Sequence, residues 1–266
     1  SKWLLPCIAK SPFFSSLYGL LQKSSMSRKK IAPFIQAYHI DEEEFADPAS
    51  SFRSFNDFFV RKLKASFRPI DPRPDQAVLP ADGRYLVYPN LAKVPGFFIK
   101  GQTFCLPDFL KDPVLARRFA EGSMVIARLC PTDYHRFHFP CSGFAAKPRL
   151  INGALFSVNP LALRKNLSIL WENKRVITEI DTDDFGTVLY VEIGATFVGT
   201  IEQTFAFPGS VQKGQEKGYF SFGGSCVVLL FEPHRIQFDA DLILHSEKFL
   251  ETKALFGQSL GSSIPK

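Results

Sequence analysis

A proline-rich segment divides the chain into two parts with different residue patterns. Pro69, Pro72, Pro74 and Pro80 fall within it, and because proline fixes φ and has no amide hydrogen, the segment can be neither a helix nor a central strand. Apolar residues recur at helical spacing before it, whereas short β-branched runs alternate with turns after it. We therefore predict an α+β fold, with N-terminal amphipathic helices followed by a mostly antiparallel β-sheet or barrel.

Residues 11–38 are predicted to form two short amphipathic helices. Their apolar stripes are Phe13, Phe14, Leu17, Tyr18 and Leu21 in the first, and Ile31, Phe34, Ile35 and Tyr38 in the second. A basic cluster of Lys23, Arg28, Lys29 and Lys30 lies between the stripes. This pattern suits both helices that pack on the rest of the protein and helices that lie in a membrane interface.

A third helix is predicted to begin at Ser54, since Asp57 follows three residues later as in a capping box. Its apolar stripe would be Phe55, Phe58, Phe59 and Leu63.

The part after the prolines contains clear strand signals. Residues 176–180 and 187–193 flank a turn and predict a hairpin. The apolar, β-branched-rich run at 227–231 predicts a buried strand, whereas 108–121 and 161–171 favour helices.

Composition and charge exclude several classes of protein. With 266 residues, 45% hydrophobic and 22% charged, the chain is globular rather than disordered, and no apolar run is long enough for a membrane helix. Five scattered cysteines without a CxxC pair argue against a zinc site or disulfide framework and for a reducing compartment, and we expect no secretory signal peptide. The net charge of +6 suggests an anionic lipid surface or phosphate-bearing substrate, not nucleic acid.

Three segments carry residue types suited to catalysis. Asp82 lies in a Pro-Ala-Asp-Gly turn, His135 and His138 lie in a Tyr-His-Arg-Phe-His run, and Ser225 follows Gly223-Gly224. Each alone is also typical of a structural turn, a packed histidine or a glycine bulge. Together they are the components of a nucleophilic triad, although their spacing does not establish that they meet. A fourth segment, 194–199, is rich in small residues but matches no phosphate-binding loop.

Six segments give a more specific indication. They are 54–63, 80–83, 133–138, 156–160, 173–175 and 213–225. In this order they resemble phosphatidylserine decarboxylases over about residues 50–242. The residues within the motifs are most similar to those of bacterial members, chlamydial ones in particular.

The resemblance implies a precursor that cuts itself between Gly224 and Ser225. The products would be a β chain of residues 1–224 and an α chain of residues 225–266, which stay together as a heterodimer. Ser225 would become a pyruvoyl group, the enzyme's cofactor, whose ketone forms a Schiff base with the substrate amine and accepts electrons as CO2 leaves.

The resemblance also implies roles for the polar residues. Asp82 would orient His138, and His138 would take the proton of the Ser225 hydroxyl. His135 is the candidate that protonates the α-carbon of the product. No metal is implied.

A diacyl lipid substrate places the enzyme at a membrane. The resemblance implies that residues 1–50 attach to anionic lipid and that residues 51–266 form the catalytic domain. The expected membrane-contact residues are Phe13, Phe14, Leu17, Lys23, Arg28, Lys29 and Lys30. We expect a peripheral protein on the cytoplasmic face of a bacterial cell membrane, and a homodimer of processed protomers.

Two alternatives stay open at this point. One is a pyruvoyl-dependent decarboxylase that acts on a free amino acid, and the other is a non-catalytic lipid-binding module in which Gly224-Ser225 is only a bulge.

One departure from the resemblance is Cys226, at a position where the family often has serine or threonine. This difference leaves the rate of processing open.

Overall fold

A computed structural model describes residues 19–93, 104–159, 162–163, 166, 168–195 and 200–265. The α-helices are α1 Ile31–Tyr38, α2 Phe55–Phe59, α3 Leu106–Leu110, α4 Pro113–Arg118, α5 Ile169–Glu172 and α6 Ala240–Glu247, and residues 19–23 are also helical. Short 3-10 helices are Ser25–Lys30, Glu42–Glu44, Ala49–Ser51, Ala65–Phe67 and Leu91–Lys93. The strands are β1 Gln76–Val78, β2 Gly83–Tyr88, β3 Ser123–Leu129, β4 Arg136–His138, β5 Gly143–Ala145, β6 Arg149–Ile151, β7 Arg175–Thr182, β8 Gly186–Gly194, β9 Ile201–Gln203, β10 Gly209–Val211, β11 Glu216–Phe220, β12 Ser225–Phe231, β13 Ile236–Phe238, β14 Thr252–Ala254 and β15 Ser259–Ser263.

The largest sheet has nine strands. Its order is β10-β5-β7-β8-β12-β3-β2-β14, with β6 paired to β7. Two three-stranded sheets, β1-β15-β13 and β4-β11-β9, complete the described strands. Every pairing between these strands is antiparallel, so the α+β prediction is confirmed, and over the described residues the large sheet is open at β10 and β14.

Strand β12 lies at the centre of the large sheet. It pairs over its full length with β8 on one side and β3 on the other, which confirms the predicted buried strand and extends it to Ser225. Side chains alternate between the two faces of a strand. One hydrophobic cluster contains Val227, Leu229 and Phe231, and a separate one contains Cys226, Val228 and Leu230. Ser225 and Cys226 consequently face opposite sides of the sheet.

The other strand and helix predictions have mixed outcomes. The predicted hairpin is confirmed as β7 and β8, with Thr182 opposite Gly186. The single helix predicted at 108–121 is instead α3 and α4, because Lys111 adopts a left-handed conformation at φ 50° and Pro113 starts a new helix. Of 161–171, residues 162–163 and 169–171 are helical, and several others lie outside the described residues.

The helical N-terminal part packs through aromatic residues. The buried cluster consists of Ile31, Ile35, Phe45, Phe52, Phe55 and Phe58. Ser54 caps α2 by accepting the Asp57 amide at 3.1 Å, as predicted, but α2 ends at Phe59 and does not reach Leu63. No helix in the described ranges is both long and apolar enough to cross a membrane.

Candidate active site

Ser225 and His135 meet at the start of the central strand. Ser225 is fully buried and its Oγ lies 3.3 Å from His135 Nδ1. His135 Nε2 lies 2.8 Å from the Cys130 carbonyl oxygen. Because a carbonyl can only accept, Nε2 carries the hydrogen and Nδ1 has the free lone pair that accepts from Ser225. A serine hydroxyl and an imidazole base are therefore in contact at this position.

The buried position of His135 keeps its ring neutral. Burial lowers the pKa of His135 from 6.5 to about 3, and the nearby charge of Arg61 lowers it further against the raising effect of the Cys130 hydrogen bond. Its ring also stacks on Phe59, with centroids 3.9 Å apart. His135 is thus held in one orientation and in its basic form.

Helix α2 holds the glycine turn that precedes Ser225. Asn56 Oδ1 accepts the Phe222 amide at 2.9 Å, and the Phe222 ring packs against Phe55 and Phe59 at 5.2 Å and 4.9 Å. The same helix therefore positions both His135, through Phe59, and the segment entering the Gly224-Ser225 bond.

The two glycines of that turn have different requirements. Gly223 has φ 141°, which disfavours any other residue. At Gly224 an added Cβ would meet only Val158 Cγ2, at 3.8 Å. Among the residues that the structure describes, the space beside the Gly224 Cα is therefore open.

His138 lies in a second buried pocket. Its Nδ1 lies 3.0 Å from the Gly214 carbonyl oxygen, so Nδ1 donates, and its ring stacks on Phe256 with centroids 3.6 Å apart. Nε2 is buried and has no hydrogen-bond partner among the described residues. Burial lowers the pKa of His138 from 6.5 to about 4, so this ring too is neutral, with an unused basic lone pair.

Asp82 is bound by an arginine. Arg68 donates from Nη2 to Asp82 Oδ2 at 2.6 Å and from Nε to Oδ1 at 3.0 Å, and also contacts Glu44 at 2.8 Å. Asp82 Oδ1 further accepts the Phe256 amide at 2.8 Å. Asp82 therefore connects to His138 through Phe256, whose amide it binds and whose ring covers the imidazole.

The polar residues singled out from the sequence fall into two groups. Ser225 pairs with His135, and Asp82 lies on the His138 side; among the described residues no hydrogen bond joins His138 to Ser225 or to Asp82 directly. The assigned roles of the two histidines stay predictions. Sequence reasoning missed the supporting residues Asn56, Phe59, Arg68 and Phe256, although two of them lie in the quoted 54–63 segment.

Cys226 takes no part in this geometry. It lies on the opposite face of β12 from Ser225 and is fully buried. Burial raises the pKa of its thiol to about 12, so the thiolate needed for nucleophilic attack is not formed.

The basic cluster near the N-terminus lies at the surface. Lys23, Arg28, Lys29 and Lys30 are exposed, and the neighbouring apolar side chains Leu20, Leu21 and Met26 are also exposed, at 66%, 56% and 75%. The expected contact residues Phe13, Phe14 and Leu17 lie outside the described residues, as do residues 196–199 of the small-residue segment. Within the described chain no cluster of three or more His, Cys, Asp or Glu could hold a metal.

Comparison with known proteins identifies one family. Residues 55–262 match the family Phosphatidylserine decarboxylase. The chain is 56% identical over 255 residues to a phosphatidylserine decarboxylase proenzyme of Chlamydia muridarum, covering 96% of this chain and 84% of that protein. It is 50% identical to the one from Chlamydia pneumoniae, covering 96% and 85%, and 54% identical to that of Chlamydia trachomatis serovar D, covering 97% and 86%.

Proposed function

Because this chain belongs to the phosphatidylserine decarboxylase family, we propose that it converts phosphatidylserine to phosphatidylethanolamine after cutting itself between Gly224 and Ser225. The observation that carries the proposal is the contact of the buried Ser225 hydroxyl with a neutral imidazole, directly after a glycine pair. The proenzyme names of the relatives support a chain that is made inactive and then processed.

The cleavage reaction uses only the chain's own groups. The Ser225 Oγ gives up its proton and attacks the Gly224 carbonyl carbon, so that an ester replaces the amide. Elimination at Ser225 then releases the Gly224 carboxylate, and water replaces the Ser225 nitrogen as ammonia leaves. The residue left at the start of the new chain is a pyruvoyl group.

For the base in this cleavage we propose His138, assisted by Asp82. Its Nε2 lone pair has no partner among the described residues, and Asp82 binds the backbone amide of Phe256, whose ring stacks on the imidazole. A neighbouring guanidinium opposes an imidazolium at either ring, Arg61 at His135 and Arg136 at His138, so the unused Nε2 lone pair is what distinguishes His138. The proposal requires Ser225 Oγ to leave His135 by rotation about its χ1 angle.

The residues around Ser225 also fit a pyruvoyl group. Ser225 begins a central strand whose backbone is paired on both sides, and His135 lies beside the position that the group would occupy. When formed, the group supplies a ketone that condenses with the substrate amine and accepts electrons as CO2 leaves. His135, at contact distance, is the proposed acid that returns a proton to the α-carbon.

The two chains are proposed to remain associated after cleavage. Strand β12 would belong to the α chain, yet it is hydrogen-bonded between β8 and β3 of the β chain. Separating the chains would unfold the centre of the sheet. Membrane attachment through the exposed basic cluster and Leu20, Leu21 and Met26 is part of the same proposal, as is the peripheral location; a homodimer stays a prediction.

The test is the intact mass of the purified protein under denaturing conditions. We expect two species divided after Gly224, the smaller blocked at its N-terminus, and a single chain for Ser225→Ala. Ser221→Ala, in the same segment, is the matched control and should be processed. Cleavage at the same bond in Ser225→Ala would refute the proposal.

A decarboxylation assay separates the remaining alternatives. Phosphatidylserine vesicles and free L-serine are offered to the purified protein, and we expect CO2 release from the lipid only. Release from free serine at an equal rate would favour the amino-acid decarboxylase. An intact chain that binds vesicles without releasing CO2 would favour the lipid-binding module.

A further inference from the structure

Asn173 lies between α5 and β7, and it is fully buried. Its carboxamide makes three hydrogen bonds to backbone groups. Oδ1 accepts the Phe156 amide at 2.9 Å, and Nδ2 donates to the carbonyl oxygens of Phe156 and Gly194, both at 2.8 Å. These partners fix the orientation of the carboxamide, because a backbone amide can only donate and a carbonyl can only accept.

The backbone on either side of that carboxamide binds the same two parts of the chain. The Ala154 amide donates to the Glu172 carbonyl oxygen, and the Ala154 carbonyl oxygen accepts the Lys174 amide, both at 2.9 Å. The Gly194 amide in turn donates to the Lys174 carbonyl oxygen at 2.9 Å. The 154–158 segment is thereby attached to the end of β8.

Both ends of this attachment lie beside the bond that is proposed to be cut. Gly194 is the cross-strand partner of Ser225. Val158 is buried, and its Cγ2 is the only described atom within 4 Å of a Cβ built on Gly224, at 3.8 Å. Asn173 therefore links the residue opposite Ser225 to the residue that faces Gly224.

The two residues of that bond are held in different ways. Ser225 begins a strand that is paired on both sides, whereas Gly224 precedes the strand and, as a glycine, can adopt a wide range of backbone angles. Attack on a carbonyl carbon requires the reacting atoms to be aligned at about 3–3.5 Å. A side chain packed beside Gly224 restricts its rotation only if the segment that carries this side chain is itself fixed.

We propose that Asn173 is a positioning residue for self-cleavage. Its carboxamide holds the 154–158 segment beside Gly224 and so keeps the Gly224 carbonyl carbon within reach of Ser225 Oγ. The inference rests on the proposed function. The three hydrogen-bond partners of the carboxamide are not the reacting groups, so Asn173 acts through the segment.

The experiment follows the rate of cleavage by denaturing mass after synthesis of the precursor, with circular dichroism to show that each variant is folded. Asn173→Ala should be cleaved about 10- to 100-fold more slowly, which is the effect of misplacing a reacting group by about 1 Å. The matched control is Ser246→Ala, which removes a buried hydrogen bond of 2.8 Å to the Val87 amide. Val87 lies level with Leu229 rather than with Ser225 in the large sheet, so this variant should be cleaved at the wild-type rate.

Asn173→Asp separates positioning from a general loss of stability. It keeps the acceptor for the Phe156 amide but places a second oxygen against two carbonyl oxygens. Burial raises the pKa of such a carboxyl group, and its protonated form donates one hydrogen where the amide donated. Asn173→Asp should therefore be cleaved faster at about pH 5.5 than at about pH 8. The wild-type rate should change less, because the His135 and His138 rings stay neutral over that range.

Val158→Ala tests the segment with the Asn173 hydrogen bonds intact, and it guards against misfolding of Asn173→Ala. It should slow cleavage by about threefold or more. Because both side chains act through one segment, the double variant should be slowed by less than the product of the single effects.

Two results would overturn the positioning role. One is a wild-type rate in Val158→Ala together with a pH-independent rate in Asn173→Asp, and the other is an equal slowing in Ser246→Ala. A wild-type chain that stays intact would instead overturn the proposed function itself.

Discussion

The pockets of His135 and His138 are built alike and used differently. Each ring donates one hydrogen to a backbone carbonyl, stacks on a phenylalanine and has a pKa lowered by burial. The His135 lone pair, however, faces the Ser225 hydroxyl, whereas that of His138 has no partner in the described chain. Two neutral imidazoles with different access to one hydroxyl allow two reactions to be divided between them.

The supporting elements of the two pockets differ as well. Phe59, from the N-terminal part, covers His135, while Phe256, from the C-terminal part, covers His138. Cleavage after Gly224 would leave these two phenylalanines on different chains. The difference suggests that the His135 pocket depends on α2, and the His138 pocket on the segment that follows the cleavage site.

Replacement of each histidine is the strongest challenge to this division. His138→Ala should abolish cleavage, since the proposed base is lost. His135→Ala should still be cleaved but should lose about 10²–10⁴-fold in turnover, the usual range for a proton-transferring group. Denaturing mass and CO2 release measure the two effects. If His135→Ala stays intact while His138→Ala is cut, the roles are reversed.

Loosening the glycine turn that precedes Ser225 should slow cleavage. Asn56→Ala removes the hydrogen bond to the Phe222 amide, and a loss of about 1–2 kcal/mol should slow cleavage by about tenfold. The rate is followed by mass after synthesis of the precursor. Asn90→Ala removes a bond of equal length to the Ala92 amide, remote from Ser225, and should cleave normally; equal slowing would show a general loss of stability.

Acid should lower the free energy of unfolding, because the His135 and His138 rings are neutral in the folded chain. Their folded pKa values of about 3 and 4 lie below the ordinary 6.5, so below pH 6.5 the unfolded chain binds more protons. Stability from these groups is complete above pH 6.5 and is lost as pH falls towards 4, by about 1 kcal/mol per pH unit for each ring.

Denaturant unfolding of the uncleaved Ser225→Ala chain between pH 7.5 and 4.5 measures this slope. Adding His135→Gln or His138→Gln should each reduce the slope by a similar amount, and no slope from these groups should appear above pH 7. A slope that both substitutions leave unaltered would mean that the rings are not buried in neutral form.

The smallest effect is expected on the other face of β12. Cys226→Ala should change the cleavage rate by less than about twofold, because the un-ionised thiol faces away from Ser225. Its stability cost should be about 1 kcal/mol for the lost packing. Cys141→Ala, at another buried cysteine, is the control for that cost. A large fall in cleavage for Cys226→Ala alone would bring the thiol into the reaction.

Local sequence was sufficient for the elements whose signals lie within a few residues. The hairpin of β7 and β8, the buried strand β12 and the cap at Ser54 follow from alternation, apolar runs and capping chemistry. The helix predicted at 108–121 failed because its apolar spacing continued across Lys111 and Pro113, where the backbone turns instead. The spacing of apolar residues alone did not indicate that the helix is interrupted there.

By itself the sequence determined the fold class, the residues able to do chemistry and, through the ordered motifs, the family. Only the tertiary structure decided which of them meet. Ser225 contacts His135 because β12 and the segment before β4 bring together residues ninety positions apart, and Asp82 is bound by Arg68 across the proline-rich segment. Such contacts depend on how strands pair and sheets pack, and no local pattern encodes the partner of a buried polar group.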